Sequence, residues 1–319
     1  MTKVKVASLS VLSNTILVIF KLIVGLSINS VSVLSEAIHS GLDLVAALIA
    51  LFAVSKSSKP PDEEHRYGHG KIENVSGVIE AILIFAASIW IIREAAIKLA
   101  GGAQVGAPLW GLIVMGVSAL SNWLVSSLLF KTARETDSVA LEADALHLRT
   151  DVYTSLGVTG GLLLLWITGI HLFDPLIAIG VALLIIKASY QLTVKSFSPL
   201  LDSSLPADEE EGIKEIIDGF TFQVIGFHQL RTRKAGSQRF VDLHLVAPQY
   251  LKITVSHDIC DGIEREIKDR YPGTQVLIHV EPCRIGDDCP QCGERSRCEI
   301  SGKSEKKKGI KPSEANKLE

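Results

Sequence analysis

The chain has 319 residues, 47% of them hydrophobic and 21% charged, with a mean hydropathy of +0.32. That is too apolar for an ordinary soluble enzyme, and long enough for a membrane domain followed by one small soluble domain. A net charge of −3 supplies no global basic field, which argues against nucleic acid as a partner.

Six apolar segments follow one another, at about 7–28, 31–54, 75–99, 108–130, 139–167 and 174–190. Each is long enough to cross a bilayer as a helix, which takes about 20 residues. The first opens directly from Met-Thr-Lys-Val-Lys-Val-Ala, without an Ala-x-Ala-like cleavage site, and so reads as an uncleaved helix. The fifth is least hydrophobic at its start, where Glu142, Asp144 and His147 fall. Lys3 and Lys5, then Lys56, Lys59, Arg66 and Lys71, then Lys131 and Arg134 mark alternate connections, while those at 27–30, 101–107 and 168–173 contain no Lys or Arg. Basic residues favour the cytoplasmic side, so six spans with both termini in the cytoplasm are expected, in a cell inner or plasma membrane.

Two copies of one pattern lie inside these spans: His39-x-x-x-Asp43 in the second and His147-x-x-x-Asp151 in the fifth. The spacing puts an imidazole and a carboxylate one turn apart on one helix face. The second helix runs inward and the fifth outward. At about 1.5 Å per residue both pairs fall near the bilayer midplane. Ionisable side chains there are costly and mark a functional site. Two nitrogens and two carboxylate oxygens form a cage that suits zinc. The connection after the second span, Pro-Asp-Glu-Glu-His-Arg-Tyr-Gly-His-Gly-Lys, offers Asp62, His65 and His69 as a three-ligand surface site, a weak local pattern because acidic loops with two histidines are common.

From Pro206 the character changes. A helix is expected over 207–219, strands over 222–232 and 239–247, an amphipathic helix over 254–271 and a last strand over 275–281. The order αββαβ suggests a small α+β domain with its helices on one face of the sheet. The expected organisation is therefore a transmembrane domain at 1–200, a soluble domain at 206–283 and a Lys-rich, partly disordered tail at 284–319. Alternation puts Val241, Leu243 and Leu245 on one side of their strand and Asp242 and His244 on the other. In the last strand His279 and Glu281 project together. With His228 and His257 available, this domain could hold one or two metals or merely carry surface histidines. Cys283, Cys289, Cys292 and Cys298 crowd the tail around a Cys-Pro-x-Cys-Gly turn. In a reducing compartment such thiols bind metal or stay reduced, and disulfides are not expected. The chain has no His-Glu-x-x-His, P-loop or Gly-x-Ser-x-Gly motif, so it is not expected to be an enzyme.

Five segments in order carry a resemblance: Ser-Val-Ser-Val-Leu-Ser-Glu-Ala-Ile-His-Ser-Gly-Leu-Asp, His-Arg-Tyr-Gly-His-Gly-Lys-Ile-Glu, Glu-Ala-Asp-Ala-Leu-His-Leu-Arg-Thr-Asp, Phe-His-Gln-Leu-Arg-Thr-Arg and Ile-His-Val-Glu-Pro. Over about 7–283 the chain resembles the cation diffusion facilitator family of zinc transporters. The resemblance implies a homodimer of six-helix protomers, each with a cytoplasmic ferredoxin-like, metallochaperone-like domain, exchanging a divalent metal for protons. By motif position His39, Asp43, His147 and Asp151 look like the transport site. Asp62, His65 and His69 look like the loop site, and His228, His244, His257, His279 and Glu281 the cytoplasmic site, where bacterial members often have Asp in place of Glu281. Lys71 and Asp202 resemble a charge pair that holds the dimer near the membrane surface. Zinc is the expected ion, transported and regulatory, with no organic cofactor. Within the class the alternative is an exporter of iron, manganese, cobalt or cadmium. Outside it the alternative is a membrane metal sensor that transports nothing.

Overall fold

The computed structural model describes residues 2–27, 31–101, 109–168, 173–220 and 223–283. The three outer connections read from the charge pattern, and the tail with Cys289, Cys292 and Cys298, lie largely or wholly outside them. The chain divides into two compact units, the first of which includes the short segment Lys234–Ser237.

The first unit consists of six long helices: α1 (Lys3–Ser27), α2 (Val31–Ser57), α3 (Lys71–Gly101), α4 (Leu109–Thr136), α5 (Val139–Thr168) and α6 (Phe173–Phe197), closed by a 3-10 turn at Ser198–Leu201. Four apolar stretches within it are long enough to cross a membrane, Lys3–Val24, His39–Ser57, Lys71–Ile97 and Pro175–Leu201. The first half of α5 carries Glu142, Asp144, Arg149 and Asp151, charges that depress its apolarity. Packing in this unit is inverted relative to a soluble protein. Leu12, Ile16, Ile23, Trp90 and Leu184 stand exposed, while Ala46, Ala50, Ala81, Ala140 and Ala145 are fully buried beside Ser88, Asn74 and Ser126. Small residues let helix backbones approach closely where lipid, not water, bathes the outside.

Helix α5 is the pivot of this unit. Its Ala140, Leu141, Ala145 and Leu148 pack in a cluster with Val6, Ala53, Val54 and Leu129 of α1, α2 and α4. Its Ala143 joins Ala81, Ile84, Ile185 and Leu192 of α3 and α6. The buried carboxylate of Glu73 accepts from Lys3 Nζ (3.0 Å), Ser57 Oγ (2.8 Å) and Ser138 Oγ, tying α1, α2 and α3 to the residue that precedes α5.

The second unit contains α7 (Ala207–Asp218), β1 (Gly226–Ala235), β2 (Gln238–Ala247), α8 (Ile253–Arg270) and β3 (Thr274–Pro282). The sheet order is β1-β2-β3, with β3 parallel to β2. Ile213 and Ile217 of α7 and Ile259, Ile263 and Ile267 of α8 bury against Val241, Leu243 and Leu245. Complete burial of a single such side chain contributes roughly 1.5–3 kcal/mol. β1 begins later and ends later than the composition suggests, because the chain reverses at Gly236, whose φ of +59° suits a tight turn.

Strand β1 also carries a bulge. Strict alternation would put residues 228, 230 and 232 on one face. Yet Phe227 and Leu230 both pack on the hydrophobic core, and Gln229 between His228 and Leu230 adopts φ +51°. One extra residue in the left-handed region switches the pleat, so His228 faces away from the core.

Candidate metal sites

In the helical unit, α2 and α5 bring the two His/Asp pairs together. His147 Nε2 lies 3.3 Å from Asp43 Oδ1, His39 Nε2 lies 3.7 Å from Asp151 Oδ1, and His39 Nε2 lies 4.0 Å from Asp43 Oδ1. Donors held at about 2.0–2.1 Å by a tetrahedral zinc ion stand roughly 3.4 Å apart, a spacing that the His147–Asp43 and His39–Asp151 contacts approach and the His39–Asp43 contact exceeds. One ligand atom each from His39, Asp43 and Asp151 lies within 4.8 Å of the others, and His147 joins through Asp43. Asp43 and His147 are buried, at 3% and 9% exposure. Asp151 Oδ2 and His147 Nδ1 are buried with no hydrogen-bond partner, the condition of donors awaiting an ion, a proton or water.

Besides Glu73, three further ionisable groups are buried in the same unit among the described residues. Glu80 of α3, bonded to Ser76 Oγ at 3.1 Å, and Asp144 of α5 are both fully buried. Lys21 of α1 is buried as well and donates to Ser40 Oγ at 2.7 Å, next to His39. Lys21 and Glu80 were visible as charges inside apolar runs, but no spacing motif pointed to them.

The loop between α2 and α3 folds around Asp62. Its Oδ1 accepts the backbone N–H groups of Glu64 (3.1 Å) and His65 (2.7 Å), and Gly68 at φ +81° completes the turn. His65 Nδ1 lies 3.4 Å from Asp62 Oδ1, and His69 Nε2 3.2 Å from Oδ2. The His65 backbone bond, with smaller contributions from the two imidazoles, holds the Asp62 carboxyl below its ordinary range. The three residues form one compact donor group.

On the face of the sheet away from the helices, Glu281 is the hub. His244 Nδ1 lies 2.9 Å from its Oε1, His228 Nε2 3.2 Å from its Oε2 and His279 Nε2 3.8 Å from Oε1. The register pairs His244 with His279 across β2 and β3, and their rings stand 4.8 Å apart. The bond from His244, then that from His228, lowers the Glu281 pKa. His228, His244 and Glu281 make the tight donor group. His279 sits at its margin. His257 is on α8, 3.7 Å from Asp261 and 72% exposed in its side chain, and the described residues do not bring it to Glu281. Cys283 is buried just past β3, where its N–H donates to Ala247 O at 2.9 Å. Lys71 Nζ lies 2.9 Å from Asp202 Oδ1 within the one chain.

Comparison with known proteins gives a consistent picture. The family model described as the cation efflux transmembrane domain matches residues 7–201, and that described as the cation efflux protein cytoplasmic domain matches 205–283. An uncharacterised transporter of Synechocystis sp. is 35% identical over 254 residues, covering 80% of this chain and 82% of the relative. The cation-efflux pump FieF of Cronobacter sakazakii is 32% identical over 85% of this chain and 90% of its own length. That of Yersinia enterocolitica is 33% identical over 88% and 94%. A solved structure described as that of a zinc transporter, CzrB, in its zinc form is 35% identical, covering 25% of this chain and 92% of that one, with a TM-score of 0.25.

Proposed function

The chain belongs to the cation efflux family, and from that premise we propose that it exports zinc from the cytoplasm in exchange for protons, by alternating access around His39, Asp43, His147 and Asp151. The observation that carries this reading is the position of Asp43, buried and within 4.0 Å of an imidazole from each of two helices. The donor set favours zinc: two nitrogens suit it, whereas an all-oxygen set would favour manganese. Iron, cobalt and cadmium are competitors to be separated by measurement. A metal sensor would have no need of ligands in the middle of spanning helices.

In this mechanism six spans carry the site, with α2 and α5 moving against the remaining helices. Asp43 and Asp151 ligate only when ionised, and His39 and His147 only when neutral. Loading zinc from the cytoplasm therefore displaces protons from these four groups, and protonation from the far side weakens all four contacts together and releases the ion. The close His147–Asp43 approach is also what a protonated imidazole makes with a carboxylate, so the same atoms hold the ion in one half of the cycle and the proton in the other. Asp62, His65 and His69 serve as a capture site in the loop. His228, His244 and Glu281, with His279 beside them, bind a regulatory zinc that tightens a homodimer, and Lys71 with Asp202 braces that dimer near the membrane. The basic connections support cytoplasmic termini in the inner or plasma membrane.

Asp43→Ala should abolish zinc flux into proteoliposomes under a pH gradient while circular dichroism and thermal unfolding stay those of the unaltered protein. Normal flux in that variant would overturn the assignment. Running the same assay with zinc, cadmium, iron and manganese ranks the ions.

A further inference from the structure

We propose that the groove between α4 and α5 binds the phosphate headgroup of an anionic lipid. A cavity of about 560 Å³ lies between the last turns of α4 and the first half of α5, and three cations line it: Lys131, Arg134 and Arg149. One carboxylate, Glu135, lines it as well and stands 4.0 Å from Lys131. Three positive charges against one negative leave a surplus that no other carboxylate lining the groove among the described residues offsets.

Arg149 carries the argument. It is two residues from both His147 and Asp151, about 200° around the helix from each, so it leaves α5 on the side opposite the metal ligands. Its Nη2 donates to Ser127 Oγ at 3.0 Å, and its guanidinium lies 5.6 Å from the Phe130 ring centroid. Its Nε is buried and has no hydrogen-bond partner. Among the described residues, neither Arg149 nor Arg134 meets a carboxylate at ion-pair distance. A cation on the outer face of a spanning helix is costly unless it reaches the headgroup layer or finds an anion. Here the side chain lies against Ser127 and Phe130 in the groove that Lys131 and Arg134, one and two turns nearer the end of α4, also line. A guanidinium with an unused N–H beside two more cations suits the fork geometry of a phosphate. Leu146 and Tyr153 supply an apolar wall along which an acyl chain can lie. Basic pockets between membrane helices take anionic headgroups for these reasons. The inference depends on the membrane character of the family and not on which ion is carried.

The test is native mass spectrometry of the full-length protein released from vesicles of mixed phosphatidylglycerol and phosphatidylcholine. The unaltered protein should retain phosphatidylglycerol in preference to phosphatidylcholine. K131Q/R134Q/R149Q should lose that preference by about a hundredfold, at roughly fivefold per cation. K131Q/R134Q alters only exposed residues and leaves the fold intact, so it should lose about twenty-fivefold and keeps the test decisive where the triple variant fails to fold. Arg149→Lys, which keeps the charge and loses the fork, should lose less than about fivefold. Equal retention of the two lipids, equal phosphatidylglycerol binding by protein and variants, or displacement of the lipid by inorganic phosphate at millimolar concentration would each overturn the proposal, the last by assigning the groove to free phosphate.

Discussion

Asp43 and Glu281 hold equivalent posts in surroundings that differ. Each is a single carboxylate approached by more than one imidazole. Asp43 is buried among helices, whereas the Glu281 side chain is about a third exposed, on an open sheet face. Water screens the sheet site, so it can stand with or without an ion at small cost. In the helical site each uncompensated charge costs several kcal/mol, so the pocket must be filled by either a metal or protons. On the proposed function, similar donors would thus serve an exchanger in one region and a reader of metal concentration in the other.

The sharpest way to break this comparison is to remove both carboxylates separately. Against the loss of flux expected of Asp43→Ala, which removes a ligand that the proposed exchange requires, Glu281→Ala should retain flux at saturating zinc. Its zinc concentration for half-maximal stimulation should rise by about tenfold, in keeping with the loss of a ligand whose neighbours remain. The check is initial zinc flux in proteoliposomes over a zinc titration. If Glu281→Ala is as inactive as Asp43→Ala, the two sites do not divide the labour.

The bulge offers a smaller and more selective break. Gln229→Val puts a β-branched residue that disfavours a positive φ at this position, which should straighten β1 and turn His228 toward the core, where Phe227 and Leu230 now pack. Zinc affinity of the sheet site, measured by titration calorimetry on protein carrying Asp43→Ala, should fall by about tenfold. Gln229→Gly keeps the positive φ at no steric cost and should bind zinc as the unaltered chain does. Equal affinity in Gln229→Val would mean that His228 does not need its present face.

The difference between these variants mirrors what could be read from residues alone. His39/Asp43 and His147/Asp151 were legible because four-residue spacing on a helix fixes a shared face whatever the tertiary detail. His244, His279 and Glu281 were legible because β2 and β3 alternate without interruption and pair in register. His228 was not assignable to a face, since a bulge changes the parity of every residue before it and leaves no compositional trace beyond an unremarkable Gln. Six helices followed by αββαβ matched the apolar and amphipathic runs. The start of β1 slipped by four residues, from Phe222 to Gly226, because Phe222 is as β-prone as the residues that pair. Glu80, Asp144 and the Arg149 groove depend on helix–helix packing, which a one-dimensional pattern does not encode.

The finest contrast is between His257 and the histidines around Glu281, and Cys260 reports on it. Burial raises the Cys260 thiol pKa, and the charges of Asp261 and Glu264 raise it further. A raised pKa leaves less thiolate at neutral pH, and the thiolate is the form that is alkylated, so Cys260 should react slowly with iodoacetamide between pH 7 and 8. Asp261→Asn removes one of the two charges and should speed the reaction about twofold, the size expected of a partly exposed electrostatic contact. Zinc held by His228, His244 and Glu281 leaves the surroundings of Cys260 unaltered, so saturating zinc should not change its rate. Were zinc to sit instead between His257 and Asp261, it would offset the Asp261 charge and accelerate alkylation, or shield the thiol and stop it. Mass-spectrometric time courses with and without zinc separate these outcomes, and any zinc-dependent rate would place α8 within the sheet's metal site.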